Sequence, residues 1–177
     1  MKIITISGHA RNGKDTVAGI LERKLKADGY KVLITHYADL VKYVCEKYFD
    51  WDRLKDERGR QLLQYVGTDV VRQQQPDFWV DFIKSILILF RNHWDIVIIP
   101  DARFVNEIDV LKREGFEVIH MRVNRPNFDN GLTEEQKKHP SETSLDNVTP
   151  DYTIINDGGI AELVTKTDTF LKEYVYG

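Results

Sequence analysis

The chain is predicted to fold as an α/β domain, a three-layer αβα sandwich around a five-stranded parallel sheet with a helical arm and a lid segment. Three observations predict it. Short β-branched runs alternate with stretches of helical periodicity, as in successive βαβ units. The first run leads through a glycine-rich turn into a helix. The 177 residues, 42% hydrophobic and 30% charged, have the size and composition of one globular domain.

Residues 3–6 form the first strand, which stops at Ser7-Gly8. Residues 16–27 then place Val17, Ile20, Leu21 and Leu25 on one helical face, closed by Gly29. Residues 31–35 give a second strand, and another helical pattern begins at Leu40. Between 56 and 94 the pattern is helical almost throughout, and Gln73-Gln-Gln-Pro76 divides it into two helices because proline disfavours helix in the residue before it. A buried strand at 95–99 ends at Pro100-Asp101, and a helix over about 105–113 and a strand at 117–122 follow. Residues 124–149 are polar, with at most one short helix at 133–138, where Thr133-x-x-Gln136 has the form of a capping box. A last strand at 152–155, a turn at 156–159 and a helix at 160–174 complete the alternation. One domain therefore spans 1–177, with an arm at about 39–93 and a lid at about 124–149.

Bulk properties exclude several classes. The net charge of −3 is a mixture of signs without long blocks, so no nucleic-acid partner and no acidic tail are expected. Cys45 is the single cysteine, which rules out an internal disulfide and fits a reducing, cytoplasmic setting. No signal-peptide pattern opens the chain, and the longest apolar runs fall far below the ~20 residues that span a bilayer, so no membrane role is expected. A homodimer is compatible with the sequence.

Four constellations carry chemistry. The first is Gly8-His-Ala-Arg-Asn-Gly13-Lys14 between strand and helix, where backbone N–H groups and a helix N-terminus converge on an anion. Gly8, Ala10, Asn12 and Gly13 shape this phosphate loop, and Lys14 neutralises the β- and γ-phosphates. Asp15 stands where many such loops have Ser or Thr for magnesium, and Thr16 follows one place later. Asp15 either serves Lys14 and a magnesium-bound water or simply stabilises the helix N-terminus.

The second is Asp101-Ala-Arg103 at a strand's carboxyl end, where open α/β sheets bind ligands. Asp101 can hold magnesium-bound water and Arg103 can clamp phosphate, or the two can form a structural pair capping the next helix. In the third, Gly67-Thr-Asp-Val-Val-Arg72 with Pro76-Asp-Phe-Trp79, Arg72 is a candidate for an acceptor phosphate and Trp79 is either a substrate contact or core. Asp39 and Lys42 sit at a comparable rim. The fourth gathers Arg122, Arg125, His139, Ser141 and Glu142 in and beside the polar segment. These either close over phosphates, with the arginines neutralising transition-state charge, or belong to a solvated loop. His139 has no Cys or His partner at ligand spacing and gives no zinc signal.

Four blocks in the same order resemble bacteriophage-type deoxynucleoside monophosphate kinases over most of the chain: Ser7-Gly-His-Ala-Arg-Asn-Gly-Lys-Asp-Thr16, Leu63-Gln-Tyr-Val-Gly-Thr-Asp-Val-Val-Arg72, Pro100-Asp-Ala-Arg-Phe-Val-Asn-Glu107 and His139-Pro-Ser-Glu-Thr-Ser-Leu-Asp146. The resemblance implies a P-loop kinase fold and direct in-line transfer from ATP with Mg2+ to a deoxynucleoside 5′-monophosphate. It assigns Lys14, Arg103 and Arg125 to catalysis. The 8–16 loop and Arg122 would face the donor, and Asp39, Lys42, Arg72, Trp79, Asp101, Arg103, Ser141 and Glu142 the acceptor. Magnesium would meet Asp15, Thr16 and Asp101 through water. Small-molecule nucleotides are the implied partners. Animal phosphomevalonate kinases look similar in their Gly-Lys-Asp loop, Asp-x-Arg and Ser-Glu-x-x-Leu-Asp segments, which leaves that acceptor as an alternative. A nucleotide-binding regulatory module is another, although no Asn-Lys-x-Asp motif for guanine is present.

Overall fold

A computed structural model describes residues 1–177. Strands β1 (Lys2–Ser7), β2 (Val32–Ile34), β3 (Ile96–Ile99), β4 (Glu117–Asn124) and β5 (Tyr152–Ile155) form one sheet in the order β2-β3-β1-β4-β5. Every pairing is parallel, with Ile3 opposite both Val97 and Val118. The helices are α1 (Lys14–Ala27), α2 (Ala38–Tyr48), α3 (Glu57–Gln64), α4 (Phe78–Leu89), α5 (Asn106–Arg113), α6 (Glu134–Lys138), α7 (Pro140–Thr143) and α8 (Ile160–Tyr174).

The central strand explains the layering. Ile4 and Ile6 pack with Val17, Leu21 and Leu25 of α1 and Phe170 and Leu171 of α8, while Ile3 packs with Val80, Ile83 and Leu87 of α4 and Leu111 of α5. A strand covered on both faces needs apolar residues on both, as Ile3 supplies on one and Ile4 and Ile6 on the other, with β-branched Thr5 buried among them. β1 lies between β3 and β4, and the chain crosses over it from β3 to reach β4. Ligands of open α/β sheets bind beyond the strand ends at such a reversal.

Two expectations change. The two helices of the arm are three segments, because α3 continues as a π-helical stretch, Tyr65–Arg72, before the break at Pro76. Its wider turn is held from outside, where the Trp79 Nε1–H donates to the Gly67 carbonyl at 2.8 Å and Gly67 presses so close to Val41 that a Cβ there would lie 3.2 Å from its Cγ1. The polar 124–149 segment is a packed element. Thr133 and Gln136 close the capping box of α6, α7 follows at once, and Leu145 is buried with Ala102 and Ile108. No helix is long and apolar enough to cross a membrane.

Candidate active site

The 8–14 loop has its shape imposed by contacts. Gly8, at φ 137°, could not carry a Cβ, which would stand 2.2 Å from the Val123 carbonyl oxygen. Buried Asn12 donates from Nδ2 to that same carbonyl at 3.1 Å, and Asn156 donates to the Asn12 carbonyl at 2.9 Å. Helix α1 then starts after Gly13, at φ 96°, with no side-chain cap, so its first-turn N–H groups are available to an anion. Lys14 is 8% exposed, and its Nζ donates to the Gly8 and His9 carbonyls at 2.8 and 2.9 Å. Burial, helped by the charge of Arg103, lowers its pKa to about 7 against the pull of Glu142, Asp15 and Asp101.

Across the cleft, Asp101 accepts from the Tyr37 and Ala38 N–H groups at 3.0 and 2.9 Å, so its carboxylate caps the start of α2. Arg103 donates to Glu142 at 2.6 Å and to the Ser141 carbonyl at 3.2 Å. Arg72 pairs with buried Glu107 and lies over the Phe104 ring at 4.0 Å. Glu107 also accepts from the Arg103 and Phe104 N–H groups, and burial pushes it up to about 7 while Arg72 pulls it back. Arg60, Gln64, Thr68 and Arg72 line the cleft in one row. A step of four residues overshoots a turn by roughly 40° in an α-helix and undershoots in a π-helix, so the passage from α3 to the π-helical stretch keeps the row facing one way.

The 124–149 segment is tied to both sides of the cleft. Glu142 accepts from the Ala10 N–H of the loop at 3.0 Å as well as from Arg103. His139 accepts from the Ser141 N–H through Nδ1, so its Nε2–H is the group that donates to Asp69 of the arm, at 3.2 Å. Together these elements enclose a cleft of about 530 Å³, lined by seven Lys and Arg side chains against four carboxylates. That local excess of positive charge, in a chain of net charge −3, suits a polyanion.

Of the sequence-derived candidates, Ala10, Lys14, Asp15, Lys42, Arg72, Trp79, Asp101, Arg103, Ser141 and Glu142 line this cleft. Others have different neighbours. Arg125 stacks on Phe128 at 3.8 Å and does not line the cleft, and Arg122 is engaged by the Leu145 carbonyl, Asp146 and Asn124. Asp39 pairs with Lys42 at the rim, and Trp79 is 2% exposed, a wall of the arm's core. No group of three or more His, Cys, Asp or Glu side chains could hold a metal. Exposed Asp15 and Thr16 instead fit Mg2+ as partial, water-mediated partners beside phosphate oxygens, whereas both Asp101 oxygens already accept backbone N–H groups. Sequence reasoning missed Arg11, His36, Arg60, Gln64, Thr68, Glu107 and Gln136. The four-residue spacing of 60, 64, 68 and 72 was the legible signal.

The family model of deoxynucleotide monophosphate kinases matches residues 58–167, more than half of the chain. The chain belongs to this kinase family. A protein of Acanthamoeba polyphaga mimivirus, assigned by inference as a deoxynucleotide monophosphate kinase, is 27% identical over 193 residues, which cover 94% of each chain. The deoxynucleotide monophosphate kinases of Enterobacteria phage T4 and Escherichia phage RB69 are 35% and 31% identical over 115 residues. That match takes in 64% of this chain but only 45% and 44% of those enzymes. In fold, the kinase is similar to the APS kinase of Mycobacterium tuberculosis, solved with AMPPNP and APS, with a TM-score of 0.54 at 16% identity over 97% of both chains. The expected phage-type kinase family and three-layer P-loop kinase fold are thus borne out.

Proposed function

We propose that the kinase transfers the γ-phosphoryl group of ATP directly and in line to a deoxynucleoside 5′-monophosphate. The observation that carries this reading is a single cleft with the 8–14 phosphate loop at one end, the fixed Arg72 at the other and Arg103 beside the loop, held by Glu142. The acceptor phosphate is already a nucleophile, so alignment and charge neutralisation suffice and no strong general base is needed. Lys14 leaves its two carbonyls to meet the β- and γ-oxygens, and the loop amides and the start of α1 hold the remaining charge. Arg72, immobilised by Glu107 and Phe104, fixes the acceptor phosphate, while Arg103 lies between the two phosphate groups. Gln64 and Thr68 face the acceptor's sugar and base. Magnesium, reached through water by Asp15 and Thr16, would neutralise charge on the phosphates when bound. A cytoplasmic setting agrees with Cys45 being a buried free thiol.

Acceptor-dependent ADP release tests the reading, with deoxy- and ribonucleoside monophosphates and mevalonate 5-phosphate in one panel. Turnover stimulated by one or more deoxynucleoside monophosphates is expected. Stimulation by mevalonate 5-phosphate alone would replace the acceptor, and hydrolysis indifferent to every acceptor would replace the kinase with a nucleotide-binding module.

A further inference from the structure

Gln136 contains the one buried side-chain polar atom without a hydrogen-bond partner, its amide Nε2. The side chain is 6% exposed and lines the cleft. Its orientation is fixed, because Oε1 accepts from the Thr133 N–H at 3.1 Å, a bond the NH2 group cannot make. The capping box that starts α6 thus locks one end of the amide and commits the other as a donor. An unsatisfied buried donor is costly enough to need a reason.

Its surroundings narrow the ligand. On the N-terminal side of α6, Gly131 lies against the Arg11 guanidinium, since a Cβ there would stand 2.7 Å from Nη1. On the C-terminal side, Glu142 accepts from the Ala10 N–H and from Arg103. The segment carrying Gln136 is therefore anchored at both ends to groups of the phosphate loop and its neighbouring arginine.

We propose that Gln136 is a ligand-binding residue whose Nε2 donates to a phosphate oxygen of the nucleotide held over the 8–14 loop. The assignment rests on the kinase reading for the nature of the ligand, and its test is a binding measurement independent of turnover.

Two variants separate the roles. Gln136→Glu keeps an oxygen for the Thr133 N–H, and so the capping box, but turns the donor into an acceptor. Gln136→Met removes the donor without adding charge. Calorimetric titration of the full chain with tripolyphosphate, ATP and adenosine, beside ligand-free melting curves, gives the readout. Expected is an affinity order of wild type, then Gln136→Met, then Gln136→Glu for tripolyphosphate and ATP, with about tenfold lost for the glutamate variant. Adenosine binding should stay unchanged in both variants. Unaltered tripolyphosphate binding in both variants would overturn the proposal, as would weakened adenosine binding with tripolyphosphate intact. A lower ligand-free melting point with proportionate losses for every ligand would make the residue structural and overturn it too. Absence of turnover with every monophosphate, by contrast, would sink the kinase reading and leave this binding result standing.

Discussion

The proposed donor and acceptor ends of the cleft are built in opposite ways. At the proposed donor end, seven consecutive residues carry the site, and close contacts with β4 and the turn after β5 impose its shape: Gly8 against Val123, Gly13 against Asn156, and a helix left without a side-chain cap. At the acceptor end, residues from the π-helical stretch, the β3–α5 loop and the lid converge, and buried ion pairs such as Arg72–Glu107 and Arg103–Glu142 hold them. A backbone-built site tolerates loss of a side chain and keeps its shape. A site assembled from paired charges couples function to folding, because removing one partner strands the other.

Lys14→Ala should test the first half of that contrast most severely. A loss of about 10³-fold or more in kcat is expected with the melting point maintained, since Lys14 touches only loop carbonyls. Near-normal turnover from the folded variant would remove the central residue of the mechanism. Arg72→Ala should behave differently, destabilising the fold by about 3–5 kcal/mol through the buried Glu107 left behind. Glu107 is already raised to about 7, and without Arg72 it rises further. Its unfolded value stays near 4.5, so stability is lost as pH rises and the deficit should be larger at pH 8 than at pH 6. A pH-independent deficit in melting curves would contradict the pairing.

His120 separates the sheet from both ends. Hydrogen-bonded to Ser7 under the loop, it is lowered from 6.5 to about 4 by burial. Between those values the unfolded chain binds the extra proton, so stability should be full above pH 6.5 and fall as pH drops towards 4, by on the order of 3 kcal/mol. His120→Gln, measured by denaturant unfolding across that window, should flatten the dependence. Lys14 makes a subtler mark. Above pH 7 the free amine is largely neutral, so tripolyphosphate binding should take up a proton and weaken as pH rises, read from titrations in buffers of different ionisation heat. The smallest effect is expected from Asp69→Asn, which loosens only the half-exposed contact to His139 and should cost less than about 1 kcal/mol.

The same contrast governs what could be read in advance. The strand–loop–helix at the proposed donor end was legible because its glycine and lysine spacing is a local pattern, although Val123 and Asn156 complete its shape, and so were all five strands, whose apolar runs need only a length and a period. Even the capping box at Thr133 and Gln136 was visible, being four residues long. Arg125, expected in catalysis, and Arg122, expected at the donor, lie against Phe128 and the Leu145–Asp146 turn. Arginine type and proximity to a polar segment cannot say which partner a flexible side chain reaches. Glu107 escaped notice as one of two acidic residues on an amphipathic helix, although packing buries it.

By itself, then, the sequence determined the βαβ alternation, the parallel sheet which that alternation implies and the phosphate-loop motif, because each is read from a pattern among residues close in the chain. Only the tertiary structure decided that α3 widens into a π-helical stretch, that Asp101 caps α2, that the lid is packed between arm and loop, and that the amide of Gln136 is left with a donor to give. Those outcomes depend on carbonyls, guanidinium groups and carboxylates brought together from distant parts of the chain, where burial makes each pairing or orphaned group matter.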